Sequence, residues 1–343
     1  MIRLIALLSV APAALCAAPN VMTDFAPVHS LTAQVMGDVG TPNVLLPPGA
    51  DPHDFAMRPS DGQRLSDADL VIWVGDGLTP WLEETLDALA PGAARLTLLD
   101  TEGWERLPIR EAGADGDHDD HNDHDDHDDH EEHASHDDHG HDDHADHDDH
   151  AKEDDHGHEE AEHAGHDHHD HGDFDPHAWT DPAIAKLWLA TIADALSEAD
   201  PENAKTYAAN AVAAAESLDA LDADIAADIA PVANAAYILP HDGYQYFEVR
   251  YGLNASAAIS GVDGRTPGPA QVAALRDSLA EQNVVCVFSD VAIGDRWATV
   301  VIEDTDLRTV QIDAIGAGLD AGPDLYAQTM RRLADGFVEC LGG

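Results

Sequence analysis

Between residues 117 and 173 the chain is almost entirely His, Asp and Glu. His118, His121, His124, His127, His130, His133, His136 and His139 recur at every third position, and His166, His168 and His171 lie near the far end. Nineteen of the 23 histidines fall in this tract. Imidazole is the commonest protein ligand for borderline metals, and carboxylates add negative potential and weaker oxygen ligands. The composition fits an acidic solvated linker, but the histidine density favours a low-affinity metal collector. Such a segment cannot bury enough apolar surface to offset its ordering entropy, so disorder is expected.

Only His29, His53, His177 and His241 lie elsewhere. His53 sits in Gly49-Ala-Asp-Pro-His-Asp-Phe55, His177 in Phe174-Asp-Pro-His-Ala-Trp179, and His241 in Ile238-Leu-Pro-His-Asp-Gly243. Each of these three follows a proline that stiffens its loop. Singly, each reads as a structural histidine. Together, at predicted strand ends or helix starts, they make a zinc-type site plausible. His29 reads as a helix-starting structural residue. Asp51 and Asp242 adjoin ligand candidates, where they could orient an imidazole or simply face solvent.

These residues need elements to carry them. Short apolar runs alternate with helical patterns: strands at 21–25, 42–46, 69–75 and 95–99, with helices at 29–36, 61–67 and 80–89 between them. Residues 182–197 read as a helix. From Pro201, Leu218, Leu221, Ile225 and Ile229 recur at three- and four-residue spacing, one buried stripe on a helix of about 43 Å. The alternation resumes with strands at 236–239, 254–259, 284–288 and 309–312 and helices at 244–250, 271–281 and 324–340. The fold class is therefore α/β: two lobes, each a mostly parallel sheet flanked by helices, joined by a long rigid helix. A ligand site is expected in the cleft between them.

The expected organisation is a signal peptide at 1–18, an N-terminal lobe at 19–116, the disordered tract at 117–173 and the end of the first lobe at 174–200. The linking helix follows at 201–230 and the C-terminal lobe at 231–343. Arg3, the apolar run 4–15 and Leu15-Cys-Ala-Ala18 have the pattern of a secretory signal cleaved near Ala17 or Ala18, which implies export. Formal charge is −52, of which the tract holds −25 from 26 Asp and Glu and a single Lys. The folded body is thus acidic as well, which argues against nucleic acid as a partner. Export leaves Cys286 and Cys340 in an oxidising compartment, either bridged or as two buried thiols. A bridge would close a loop of about 55 residues, worth roughly 4 kcal/mol.

Several stretches resemble the metal-binding proteins of ABC importers: Pro48-Gly-Ala-Asp-Pro-His-Asp-Phe55, Arg58-Pro-Ser-Asp61, Ala68-Asp-Leu-Val-Ile-Trp-Val-Gly75, Asp175-Pro-His-Ala-Trp179 and His241-Asp-Gly-Tyr-Gln-Tyr-Phe247. Within that family the ordered set, with an acidic His-rich insertion before the second ligand loop, is most similar to the periplasmic zinc-uptake binding proteins. The resemblance covers residues 21–340. It implies His53, His177 and His241 as ligands of Zn²⁺, two lobes with a linking helix, and a disulfide matching Cys286–Cys340.

Two departures bear on the site. Some zinc members carry Glu just before the first histidine, where this chain has Pro52. Manganese-type members use a late aspartate, and Asp313 occupies the matching place, which makes it the candidate fourth ligand beside water. They also favour Glu at the third position, whereas His241 shifts the preference toward Zn²⁺. The resemblance implies a monomeric periplasmic protein that delivers zinc to an ABC-type membrane permease, with a periplasmic zinc chaperone as a further candidate partner. The tract's last histidine, His171, lies six residues before His177, within about 20 Å by chain reach, so the tract could feed the cleft. Because ordinary imidazoles protonate near pH 6.5, affinity is expected to fall steeply below about pH 6. Rival readings are a manganese or iron importer component, a zinc storage or chaperone protein, and a catalytic zinc enzyme. Against the last, the chain has no nucleophile elbow and no HExxH helix.

Overall fold

The computed structural model describes residues 18–110 and 174–342. The expected signal segment and the His-rich tract, with its expected accessory histidines, lie outside the described residues, apart from Ala18.

Two four-stranded sheets organise the body. The first uses β1 (Val21–Thr23), β2 (Asn43–Val44), β3 (Leu70–Trp73) and β4 (Ala94–Thr97) in the order β2-β1-β3-β4, every pairing parallel. Between these strands run α1 (Ala26–Met36), α2 (Pro59–Ser66) and α3 (Leu82–Leu89). All four residues of β3 are buried, as expected for a central parallel strand covered on both faces.

After α4 (Pro182–Ala199) and α5 (Ala204–Ile229), the second sheet repeats the plan with β5 (Ala236–His241), β6 (Ala257–Ser260), β7 (Val284–Asp290) and β8 (Arg308–Ile312). Its order is β6-β5-β7-β8, again all parallel. The flanking helices are α6 (Gln245–Tyr251), α7 (Pro269–Ser278), α8 (Arg296–Ile302) and α9 (Leu325–Leu341). A separate apolar layer, including Ile238, Val272, Leu275, Val287 and Val301, packs α7 and α8 against this sheet.

The long helix begins at Ala204 rather than Pro201, because residues 201–203 form a turn. At 26 residues it spans about 39 Å. Tyr207, Leu218, Leu221, Ile225 and Ile229 form its buried stripe, and it packs on α1 and α4 of the first half and α9 of the second. Cys286 on β7 is bridged to Cys340 on α9, their Cα atoms 5.7 Å apart, which ties the last helix to the sheet.

Two further expectations needed revision. Helix α8 was not foreseen; its Arg-Trp-Ala-Thr-Val-Val-Ile sequence reads as an apolar β-branched run, and only Ala298 and Val301 are buried. Strand β5 runs two residues further than expected and ends on His241 itself. Pro240 is tolerated because pairing with β7 stops at Ile238, while β6 alone is paired as far as His241.

Candidate metal centre

The first histidine stands on the loop after β2. Asp51 Oδ1 accepts the backbone N–H of His53 at 2.9 Å, a tight local turn. Trp81 Nε1 donates to Pro52 O at 2.9 Å and packs its ring against Phe55, so the loop is fastened to the start of α3.

The second stands between residue 174 and α4. Asp175 Oδ1 accepts from both the backbone N of His177, at 2.9 Å, and its Nδ1, at 2.7 Å. That bond places the proton on Nδ1 and leaves the Nε2 lone pair free to ligate. Trp179 stacks beside the ring at 5.1 Å and donates from Nε1 to Ala314 O, in the second half of the molecule.

The third ends β5. His241 is buried, and its Nε2 approaches Gly243 together with that of His177. A Cβ at Gly243 would collide with His241 and stand 2.8 Å from His177 Nε2, so the glycine preserves the open space the two rings share.

The structure therefore brings His53, His177 and His241 together, one ligand atom from each within 4.8 Å of the others. The Nε2 atoms of His53 and His177 are 3.2 Å apart, close to the roughly 3.3 Å edge of a tetrahedron with 2.0–2.1 Å zinc–nitrogen bonds. A cavity of about 20 Å³ lies among them, bounded also by Asp290, Ile293 and Ala314. It admits a single ion-sized body. A larger surface groove of about 310 Å³ lies between α4 and α5, but its Lys186–Asp219 and Arg250–Asp222 charges are paired with one another.

Burial sets the protonation. Desolvation lowers His53, His177 and His241 each to about 3, and neighbouring imidazoles push His53 and His241 further the same way. All three are neutral, hence competent ligands, far below the ordinary imidazole range. Burial raises Asp175 to about 7, against the His177 backbone N–H and the charge of Arg110. It also raises Asp51, Asp290 and Asp313.

Asp313, expected as a fourth ligand, is not brought to the histidines. Its Oδ1 accepts the backbone N–H groups of Ile315 and Gly316 at 2.9 and 2.8 Å, capping its own loop, and it does not border the cavity. His29 is also elsewhere, its Nε2 3.1 Å from Pro42 O. Asp242 does not face solvent; it pairs with Arg110.

That arginine escaped the sequence reading. Its guanidinium donates two bonds to Asp242 from Nε, at 2.9 and 3.0 Å, and another from Nη2. Nη2 also donates to Glu248 at 2.8 Å. Asp290 was missed as well. It accepts from Tyr244 Oη and from Ala292 N, and stands 3.9 Å from His241 Nδ1.

A sequence profile of the family described as zinc-uptake complex component A, periplasmic, matches residues 21–340. The chain belongs to that family. Among relatives in it, the high-affinity zinc uptake system protein ZnuA of Paracoccus denitrificans is 41% identical over 94% of this chain and 92% of its own length. The protein of the same description from Yersinia pestis is 32% identical over 95% and 92%. A crystal structure of ZnuA superposes with a TM-score of 0.68 at 19% identity, covering 94% of this chain and 99% of the other, and shows the shared fold. The two parallel sheets with flanking helices are thus the architecture of this zinc-uptake family.

Proposed function

We propose that the protein is a periplasmic binding protein that captures Zn²⁺ with His53, His177 and His241 and delivers it to an ABC-type membrane permease. The observation that carries this reading is the convergence of three neutral imidazoles on an ion-sized space, His53 and His177 from the first half of the molecule and His241 from the second. A nitrogen-only donor set suits zinc better than the harder manganese ion. Family membership supports transport rather than turnover, and a cavity of about 20 Å³ leaves little room for an organic substrate. With Asp313 engaged by its loop, water is the better candidate for the fourth position.

The His-rich tract is proposed as an accessory collector that raises the local zinc concentration, and a periplasmic zinc chaperone is a candidate donor. Titration of the full chain and of a variant lacking residues 117–172 with Zn²⁺ tests both parts. The deletion should reduce the stoichiometry to about one and leave the tight site intact. Alanine at His53, His177 and His241 should remove the tight site. If the tight affinity survives those substitutions, the protein is a storage or chaperone protein whose tract is the metal site. Competition by Mn²⁺ at comparable concentration would favour a manganese-type importer component.

A further inference from the structure

The histidines of the proposed site are supported unequally. His177 has a carboxylate bonded to its Nδ1, and the His53 loop is held by Asp51. His241 Nδ1 is buried without a hydrogen-bond partner. For His241 to ligate through the Nε2 that faces the shared space, Nδ1 must carry the proton. That makes it a buried donor lacking an acceptor, a rare and costly arrangement.

Asp290 Oδ2 lies 3.9 Å from this atom, about 1 Å beyond a charge-assisted hydrogen bond. The residue ends β7, which pairs with β5 in the same sheet, so strand geometry brings it beside His241. It is buried, borders the cavity, and is held from two sides: Ala292 N donates to Oδ1 at 2.6 Å, and Tyr244 Oη donates to Oδ2. Each carboxylate oxygen can accept twice, so Oδ2 retains capacity for a second donor.

We propose that Asp290 is the positioning residue for His241, accepting from its Nδ1–H when the site holds a cation, as Asp175 does for His177 in the structure itself. The inference rests on the proposed zinc site. Asp290 would fix the ring's tautomer and rotation, and place a negative charge behind the ligand. Each half of the molecule would then supply one carboxylate that backs a ligand histidine.

The test is Asp290→Asn in the full chain with ¹⁵N-labelled histidine, followed as Zn²⁺ is added. Asn can still accept from Ala292 N or Tyr244 Oη, but it cannot offer acceptors on both sides. Zinc-loaded wild type should show a strongly downfield Nδ1–H signal, assigned to His241 by its absence in His241→Gln. The Asn variant should lose that signal and bind zinc roughly 10- to 100-fold more weakly, mainly through faster release, with the melting of the zinc-free protein as reference. Binding within twofold of wild type would overturn the proposal. If the variant does not fold, absence of the downfield signal in zinc-loaded wild type would overturn it equally. Weak binding by His241→Gln with unchanged binding by Asp290→Asn removes only the role of Asp290. Tight binding by His241→Gln removes the reading of the site.

Discussion

The Nε2 atoms of His53 and His177 stand 3.2 Å apart, although 124 positions separate the residues in sequence. With the His177 proton held on Nδ1 by Asp175, its Nε2 presents a lone pair to the neighbouring imidazole. Without metal, neutral His53 can donate a hydrogen bond from its own Nε2 to that lone pair, and a cation between the two atoms replaces that bond with two coordinate bonds. His53→Ala should therefore weaken zinc binding by more than the roughly 10–100-fold that follows from losing a group behind a ligand. It should also abolish the rise in melting temperature that zinc produces in the tract-deleted protein. Chelator competition and calorimetric melting measure the two effects, and an unchanged zinc-dependent shift would rule His53 out.

The same convergence revises the expected pH dependence. Ordinary imidazoles at pH 6 would surrender about two protons as three of them bind a metal. In the fold, burial holds His53, His177 and His241 at about 3, so they carry almost no protons to displace. What remains to displace sits on carboxylates that burial raises, chiefly Asp175 at about 7, which is bonded to a ligand ring and can release one. Calorimetry in two buffers of different ionisation enthalpy at pH 6 should give one proton or fewer per zinc. Affinity should hold to about pH 5 rather than collapse below pH 6; release of two or more protons would contradict this.

Stability without metal has its own sign. A histidine whose folded pKa lies below its unfolded value contributes stability that is present above about 6.5 and lost as pH falls toward 3. Asp24 and Asp175, raised to about 7 by burial, act oppositely: their contribution is present below about 3.8 and lost as pH rises to 7. The Asp175→Asn variant should therefore lose more of its zinc-free stability between pH 7 and 5 than the wild type does, as read by urea unfolding.

Much of this was legible in the chain. Proline before each of three histidines, at the junctions of alternating strands and helices, located His53, His177 and His241. What sequence could not supply were pairs made by folding. Arg110 meets Asp242 across 132 residues, and Tyr244 meets Asp290 across 46. Neither spacing carries a periodic signal. Asp313 came from the resemblance to manganese-type members, and no spacing in the chain announces that two backbone amides, two and three residues ahead, bond its Oδ1.

Arg110 closes over two buried carboxylates, Asp242 and Glu248, while its own side chain remains 34% exposed. Removing it strands both charges. Loss of one partner of a fully buried pair costs about 3–5 kcal/mol, and water reaching the guanidinium reduces that to about 2 kcal/mol. Arg110→Met should be destabilised by this amount in urea unfolding, and adding Asp242→Asn should recover part of it. Equal additive losses in the double variant would show that the pair is not coupled.

The Asp313 loop offers a clean separation of stability from binding. Its Oδ1 accepts two backbone N–H groups, and among the described residues the group converging on the shared space is the three histidines alone. Asp313→Ala leaves those amides short of an acceptor, at about 1–2 kcal/mol of stability. Water can still complete the zinc coordination, so affinity should stay within about threefold of wild type. A direct ligand would behave in the opposite way, with a large loss of affinity and little loss of metal-free stability. Measuring urea midpoint and zinc affinity on the same preparation separates the cases. A hundredfold loss of affinity would mean that the 313–316 loop rearranges on binding to bring its carboxylate to the metal.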